Sequence, residues 1–168
     1  MPLNFLDAKS SIFAGVNPFE VSDYVKRNVG GHSLRLARSS SGTASLNHRK
    51  AGSVDLCRLS YGTEARVLSE GLADIYHAQF ILRGTCRYTL PETTLDLSAG
   101  HFLLINPNEP LDLTYSSDCE KFIVKIPSAM VHEACTEHRW FMSSDCIKFN
   151  QIPYRFDDLS NLILLLNL

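Results

Sequence analysis

The residues with the most reactive side chains in this sequence are histidines, and their spacing does not suit a metal. A divalent metal needs three or four converging ligands, which two histidines two residues apart on one strand can begin to supply. His77 is followed two positions later by Gln79 instead of a second histidine. The sequence therefore predicts no metal and no other cofactor. The remaining histidines show no ligand spacing: His32, His48, His101, His132 and His138.

The cysteines and serines also form no familiar catalytic group. The five cysteines include no Cys-x-x-Cys pair, and their odd number argues against a disulfide framework. No Gly-x-Ser-x-Gly sequence occurs, and no cysteine has a histidine and a carboxylate in a recognisable arrangement. We therefore expect a protein that is not an enzyme, whose thiols are buried and reduced. These thiols belong to Cys57, Cys86, Cys119, Cys135 and Cys146.

Two polar residues of one predicted strand are candidates for binding a small molecule. His77 and Gln79 share a strand face with Ile81, because successive side chains of a strand point to opposite sides. If this face points inward, it lines a polar part of a barrel interior; if it points outward, it faces solvent. The pattern leaves both possibilities open. The opposite face carries Tyr76, Ala78, Phe80 and Leu82.

The strand that carries these residues, predicted over residues 75–82, is one of roughly eight to ten short strands. Another clear strand is the apolar run at 101–105, between the turns Ala99–Gly100 and Asn106–Pro107. A turn about every 8–12 residues is typical of an antiparallel sandwich or barrel. We therefore predict a mainly β fold with C-terminal helices. The other strands are predicted at 32–37, 54–61, 65–68, 85–90, 93–97, 111–115 and 119–126.

Helical spacing of apolar residues occurs in three places. A short helix is predicted at about residues 19–28, and a second begins after Pro127 with Ser128 as its cap. The third stretch, residues 156–168, carries an apolar stripe that can pack on the barrel or pair with a second copy. This stretch ends without a cap or a polar tail, as expected for a chain cut within a longer protein. The stripe consists of Leu159, Leu162, Ile163 and Leu166.

Length and composition indicate one globular domain. The chain has 168 residues, of which 45% are hydrophobic and 20% are charged. The formal net charge of −2 provides no broad basic surface for nucleic acid. The N-terminus lacks the basic and apolar regions of a signal peptide, and no apolar run approaches about 18 residues. We therefore expect a cytoplasmic protein with no membrane partner.

Four segments together resemble the N-terminal effector domain of AraC/XylS-type transcription regulators, in particular the benzoate- and toluate-responsive branch. They are residues 21–25 (VSDYV), 54–62 (VDLCRLSYG), 76–84 (YHAQFILRG) and 118–127 (DCEKFIVKIP). The resemblance runs in the same order over most of the 168 residues, so it is more specific than any single motif.

The resemblance implies a cupin-like antiparallel β-barrel, or jelly roll, that binds an effector and belongs to a transcriptional activator of aromatic compound catabolism. It divides the chain into an N-terminal arm at 1–31, the barrel at 32–127 and a helical dimerisation region at 128–168. It also implies a homodimer formed through the C-terminal helices. Promoter DNA would be bound only by a C-terminal helix-turn-helix domain that is absent from this chain.

An aromatic carboxylate effector requires an apolar slot for its ring and a buried cation or donor for its carboxylate. Arg58, between Leu56 and Ser60 on a predicted strand, is a candidate cation; alternatively it lies at the surface, paired with Asp55 or Glu120. Further ligand candidates are His77, Gln79, Arg35 and His48. Four aromatic residues could form the ring slot or could be core: Tyr76, Phe80, Phe102 and Phe122.

Two other functions remain open at this point. A cupin-like barrel can be a small metalloenzyme, which bound metal would reveal. A barrel of about eight strands can also be filled by its own side chains and act as an interaction module.

Overall fold

The chain forms twelve strands and two α-helices over residues 5–38, 41–140 and 147–159, which are the residues described by the computed structural model. The helices are α1 (Pro18–Asn28) and α2 (Ser128–Glu137), and short 3₁₀ turns lie at Ala8–Ser10 and Phe156–Leu159. The strands are β1 (Ser11–Val16), β2 (Ser33–Leu36), β3 (Ala44–Ala51), β4 (Val54–Ser60), β5 (Ala65–Ser69), β6 (Ile75–Arg83), β7 (Thr85–Thr89), β8 (Thr94–Ser98), β9 (His101–Ile105), β10 (Leu111–Tyr115), β11 (Glu120–Pro127) and β12 (Tyr154–Arg155).

The strands form two antiparallel sheets that face each other. The larger sheet has seven strands in the order β1-β3-β4-β11-β6-β9-β12, and the smaller has five in the order β2-β5-β10-β7-β8. Strand β11 pairs with β4 on one side and β6 on the other, so it lies in the middle of the larger sheet. The architecture is the cupin-like antiparallel barrel that the resemblance implied, and the predicted fold class is confirmed.

Every strand predicted from the sequence is present within a few residues, whereas β1, β3 and β12 were not predicted. Strand β3 is only partly apolar on its inner side, where Ala44 and Leu46 are buried and the following residues are increasingly exposed. Its position comes from pairing with β1 and β4. The cap of α2 was also predicted wrongly: Ser128 is the first helical residue, and Pro127 occupies the cap position without a side-chain hydrogen bond.

The main hydrophobic core lies between the two sheets. Residues of the larger sheet, such as Leu59, Ile81 and Ile123, pack in one buried cluster with Leu113 and Tyr115 of the smaller sheet. This cluster also includes the buried face of α1. The side of the larger sheet that faces this cluster is called the inner face below.

A second apolar layer covers the outer face of the larger sheet. Phe122, Phe80 and Phe102 lie side by side on β11, β6 and β9, because the strand register places them opposite one another. Phe5 stacks on Phe122 with ring centroids 4.5 Å apart, and Phe156 lies 5.5 Å from the Phe80 ring. The chain segments before β1 and after β12 therefore meet on this outer face. Strand β6 is consequently buried on both of its sides.

Helix α1 lies against the end of the barrel. It begins at Pro18 after the cap Asn17, whose side-chain oxygen accepts a hydrogen bond from the Phe19 amide at 2.9 Å. Val21 and Val25 bury its apolar side. No helix in the described parts of the chain is long and apolar enough to cross a membrane.

Candidate functional site

The inner face of the larger sheet carries a row of buried polar side chains. Lys121 of β11 is 1% exposed, and Gln79 and His77 of β6 are each 4% exposed. They share the inner face because inward residues recur every second position along each strand. Buried polar groups are costly unless they are hydrogen-bonded, so the partners of these three residues define the site.

Lys121 is surrounded by neutral groups. Its ammonium donates to the Gln79 side-chain oxygen, lies 3.2 Å from the Tyr115 hydroxyl oxygen and 3.5 Å from Cys86 Sγ. It also lies 4.2 Å from the centre of the Tyr115 ring, within the range of a cation–π contact. No carboxylate lies within 4.0 Å of this ammonium in the parts of the chain that the structure describes.

The groups around Lys121 stay uncharged at neutral pH. Burial raises the pKa of the Cys86 thiol, although the neighbouring Lys121 partly opposes this rise. Burial also raises the pKa of the Tyr115 hydroxyl well above its usual value, with smaller contributions from nearby cysteines. Neither group can therefore act as an internal counter-ion for the lysine.

A directional chain of hydrogen bonds leads from Lys121 to the end of α1. The Val29 carbonyl only accepts, so His77 donates to it from Nε2, at 3.1 Å. The other ring nitrogen, Nδ1, then accepts from the Gln79 amide nitrogen at 3.4 Å, and the Gln79 oxygen accepts from Lys121. Burial lowers the pKa of His77 to about 4, with smaller effects from the Val29 carbonyl and from Lys121 and Lys125. The imidazole is therefore neutral at pH 7.

A second polar group lies at the opposite end of the row, and it is internally compensated. His48 Nε2 lies 2.9 Å from Asp55 Oδ1, and the Tyr24 hydroxyl lies 2.7 Å from His48 Nδ1. Lys125 contacts the other oxygen of Asp55 at 3.3 Å and donates to the Asn28 carbonyl at 2.9 Å. His48, one of the predicted ligand residues, therefore has both ring nitrogens engaged within the protein.

The two predicted arginines do not join the inner row. Arg58 lies on the outer face, where its Nε is 2.6 Å from Glu120 Oε1 and its Nη1 donates to the Phe5 carbonyl at 3.1 Å. This is the surface pairing with Glu120 that the sequence left open as an alternative. Arg35 of β2 is exposed. The reason is strand alternation: Cys57 and Leu59 take the inner positions on either side of Arg58.

The four predicted ring-slot residues lie on the outer face of the larger sheet, away from Lys121. Three of them, Phe80, Phe102 and Phe122, form the aromatic layer beneath Phe5 and Phe156. The fourth, Tyr76, has the same strand parity as Phe80 and packs edge-on against Phe149 with centroids 5.4 Å apart. Of the predicted ligand residues, the structure places His77 and Gln79 in the inner row with Lys121.

Sequence reasoning missed Lys121 and Tyr115. A usable signal was present, because β11 alternates Phe122, Val124 and Ile126 with Lys121, Ile123 and Lys125. A strand with apolar residues on both faces is covered on both sides, so a lysine within it is a candidate for burial. Tyr115 gives no comparable signal, since its contact with Lys121 depends on how the two sheets face each other.

A cleft of about 910 Å³ opens at one end of the smaller sheet. Pairing between β10 and β7 ends at Leu113 and Tyr88, and the strand ends beyond this pair enclose the cleft. Its lining residues include Leu90, Leu111, Glu109 and Asp112. Arg66 holds the pKa of the Asp112 carboxyl below its usual value through hydrogen bonds of 2.6 and 2.8 Å. The carboxylates among the lining residues do not favour an anionic ligand.

Two further expectations concern metals and dimerisation. In the described parts of the chain, no group of three or more histidine, cysteine, aspartate or glutamate residues could hold a metal ion. The leucine stripe predicted for dimerisation lies outside what the structure describes: Leu162, Ile163 and Leu166 fall beyond residue 159, and the Leu159 side chain is not described.

Comparison with known proteins gives consistent matches. The AraC-binding-like domain family matches residues 21–146. The XylDLEGF operon transcriptional activator 3 of Pseudomonas putida is 48% identical over 149 residues, covering 89% of this chain and 45% of that protein. An XylDLEGF operon transcriptional activator 1 of the same organism is 45% identical, with 89% and 46% covered. The chain thus spans about half the length of these curated relatives.

A solved structure supports the fold assignment. The AraC-like transcriptional activator CuxR superposes with a TM-score of 0.56, covering 72% of this chain and 47% of that chain. The two sequences are 10% identical, so this similarity concerns the fold alone.

Proposed function

The chain belongs to the AraC-binding-like domain family, and from this premise we propose that it is the effector-binding domain of a transcriptional activator that responds to a small aromatic carboxylate such as benzoate. The names of its relatives, activators of the XylDLEGF operon, support the regulatory role. In this proposal the domain is not an enzyme. It works in the cytoplasm, two copies pair through the leucine stripe, and a helix-turn-helix domain outside these 168 residues contacts promoter DNA.

The observation that carries the choice of ligand is the environment of Lys121. An isolated charge in a protein interior is costly unless a group of opposite charge compensates it. Lys121 is buried, and its partners among the described residues are neutral. A ligand carboxylate beside this ammonium would supply the missing counter-charge and form charge-assisted hydrogen bonds. An anionic ligand therefore gains more from this site than a neutral molecule of the same shape.

The surroundings of Lys121 suit an aromatic ring. Leu59 and Ile81 are its direct partners on the two neighbouring strands, and Ile123 follows it on the inner face of β11. Apolar walls around one polar anchor are the usual composition of a small-molecule site. The 910 Å³ cleft also has apolar walls, but its charged lining residues are carboxylates (Glu70, Glu109 and Asp112), which supports the barrel interior as the site of the ligand carboxylate.

The test is the affinity of the wild-type domain and of Lys121→Met for benzoate, measured by calorimetry at pH 7. Methionine keeps a long, flexible side chain and removes the charge, so benzoate affinity should fall roughly 100-fold. Benzyl alcohol, which has the same ring without the carboxylate, should bind the wild-type domain weakly at best.

Arg58→Met is the matched control, because it removes a cation from the outer face of the neighbouring strand. It should leave the dissociation constant for benzoate unchanged. Unchanged benzoate affinity in Lys121→Met, or equal binding of benzyl alcohol and benzoate, would overturn the proposal. Loss of binding in Arg58→Met alone would move the carboxylate anchor to the outer face.

A further inference from the structure

The ring of Tyr115 contacts Lys121, the proposed anchor of the ligand carboxylate. The Lys121 ammonium lies 4.2 Å from the centre of the Tyr115 ring and 3.2 Å from its hydroxyl oxygen. Tyr115 therefore offers the lysine an aromatic face and an oxygen atom. An aromatic carboxylate would offer it the same two chemical features. Tyr115 and such a ligand compete for the same cation.

The backbone of Tyr115 is held in the smaller sheet, and its ring is buried in the core between the two sheets. Tyr115 ends β10 and is paired with Ala65 on one side and Cys86 on the other. Its ring stacks on Tyr61, with centroids 5.9 Å apart and planes at 16°. Movement of Tyr115 away from Lys121 therefore requires a side-chain rotation, which breaks the ring's contacts with Lys121 and Tyr61.

The contact between Tyr115 and Lys121 is weaker than the one that a carboxylate would make. The Tyr115 ring and its hydroxyl oxygen offer the ammonium only partial negative charge. A carboxylate offers a full negative charge together with charge-assisted hydrogen bonds. A carboxylate can therefore displace the ring. Its affinity is lowered by the free energy needed to break the contacts between the ring and Lys121.

We propose that Tyr115 stands in for the effector at Lys121, and that an aromatic carboxylate binds by displacing its ring. This inference rests on the proposed function, because it takes Lys121 as the anchor of the carboxylate. Tyr115 is then the residue that limits affinity and selects for ligand size. The ring must vacate a space of about its own size, so a ligand with a single ring is favoured over one with two fused rings.

The deciding variant is Tyr115→Phe, which keeps the ring and its packing and removes only the hydroxyl contact with Lys121. Displacement predicts that benzoate binds this variant about threefold more tightly than the wild-type domain. The reason is that the phenylalanine ring has no hydrogen bond with Lys121 to break when it moves. If Tyr115 instead held the ligand through its hydroxyl, the same variant would bind benzoate more weakly. The direction of the change therefore distinguishes the two roles.

Tyr115→Leu extends the test to ligand size. Removing the ring should tighten benzoate binding about tenfold and should tighten 2-naphthoate binding by a larger factor, because a leucine leaves part of the ring volume free. Tyr61→Phe is the matched control: Tyr61 is the stacked neighbour of Tyr115 and contributes no hydrogen bond to Lys121 among the contacts of the described residues. It should leave both affinities unchanged.

The outcomes separate the two proposals. If wild-type domain binds benzoate through Lys121 but Tyr115→Phe binds it equally or less tightly, displacement is wrong and the proposed function stands. If neither the wild-type domain nor either Tyr115 variant binds benzoate, both proposals are wrong. Tighter binding in Tyr115→Phe with no change in Tyr61→Phe supports displacement.

Discussion

At the scale of single residues, the inner row combines a lysine that has no carboxylate partner among the described residues and a histidine that must stay neutral. His77 donates to the Val29 carbonyl and accepts from Gln79, so both ring nitrogens have defined roles. A second proton on the ring would remove its acceptor nitrogen and place a positive charge near Lys121 and Lys125, both of which lower the pKa of His77. This arrangement makes the stability of the fold depend on pH.

We expect the free energy of unfolding to fall as the pH is lowered from 7 to 5. The His77 pKa is about 4 in the folded protein and 6.5 in its unperturbed form. Below pH 6.5 the unfolded chain therefore binds a proton that the folded chain rejects, and the loss continues towards pH 4. The contribution of His77 is about 2 kcal/mol between pH 7 and pH 5.

Urea unfolding of the wild-type domain and of His77→Gln at the two pH values measures this contribution. Glutamine retains a donor and an acceptor but does not titrate, so the variant should lose less stability on acidification. Equal losses in the two proteins would show that His77 is not the group responsible.

At the scale of elements, the end of α1 packs closely against the inner row. A Cβ atom added at Gly30 would lie 3.0 Å from Cε1 of His77 and 3.1 Å from Cδ2 of Leu72. The imidazole cannot move freely because its two nitrogens are hydrogen-bonded to Val29 and Gln79. Position 30 therefore favours glycine, because a larger side chain would require His77 or Leu72 to shift.

Gly30→Ala should accordingly lower the free energy of unfolding by about 1–3 kcal/mol, the usual cost of crowding a packed interior. Gly31→Ala is the matched control, since nothing lies within 4 Å of a Cβ at Gly31. That variant should be unchanged or a few tenths of a kcal/mol more stable. Chemical denaturation measures the free energy of unfolding of both variants. Similar losses of stability would show that His77 shifts readily to make room for the added methyl group.

Strand positions were predictable from the sequence, whereas the identity of the inner face was not. The alternation in β6 placed His77 and Gln79 together on one face, and this grouping is present in the structure. Both faces of β6 are buried, however, so alternation alone could not distinguish the barrel interior from the outer layer. For Arg58 and the phenylalanines, the sequence left a ligand role and a surface or core role open, and strand alternation could not predict that they lie on the outer face. Strand β3 was missed because pairing, more than apolar content, determines it.

At the scale of the whole molecule, the segment before β1 is an integral part of the fold. Phe5 is fully buried and stacks on Phe122, and its carbonyl accepts a hydrogen bond from Arg58. The sequence suggested an arm in this region, and the structure adds that the arm contributes a strand and a core residue. Folding of the barrel and docking of this segment should therefore be cooperative.

Phe5→Ala should lower the free energy of unfolding by about 3–5 kcal/mol, because it removes a buried ring from a packed layer. Phe19→Ala provides the comparison, since Phe19 is 50% exposed and should cost less than about 1 kcal/mol. The denaturant midpoints of the two variants measure the two losses of stability. A small effect of Phe5→Ala would show that the outer layer is stable without the N-terminal segment.

Strand β11 lies in the middle of the larger sheet and carries buried side chains on both of its faces. Lys121 and Phe122 are consecutive residues, yet one side chain contacts the barrel interior and the other contacts Phe5 on the outer face. Gln79 and Phe80 repeat this relation on β6, and Phe80 contacts Phe156. Phe122 is therefore one residue, about 3.4 Å of strand, from Lys121, and Phe80 is equally near Gln79 on β6. A backbone shift of either strand would move groups on both faces of the sheet at once.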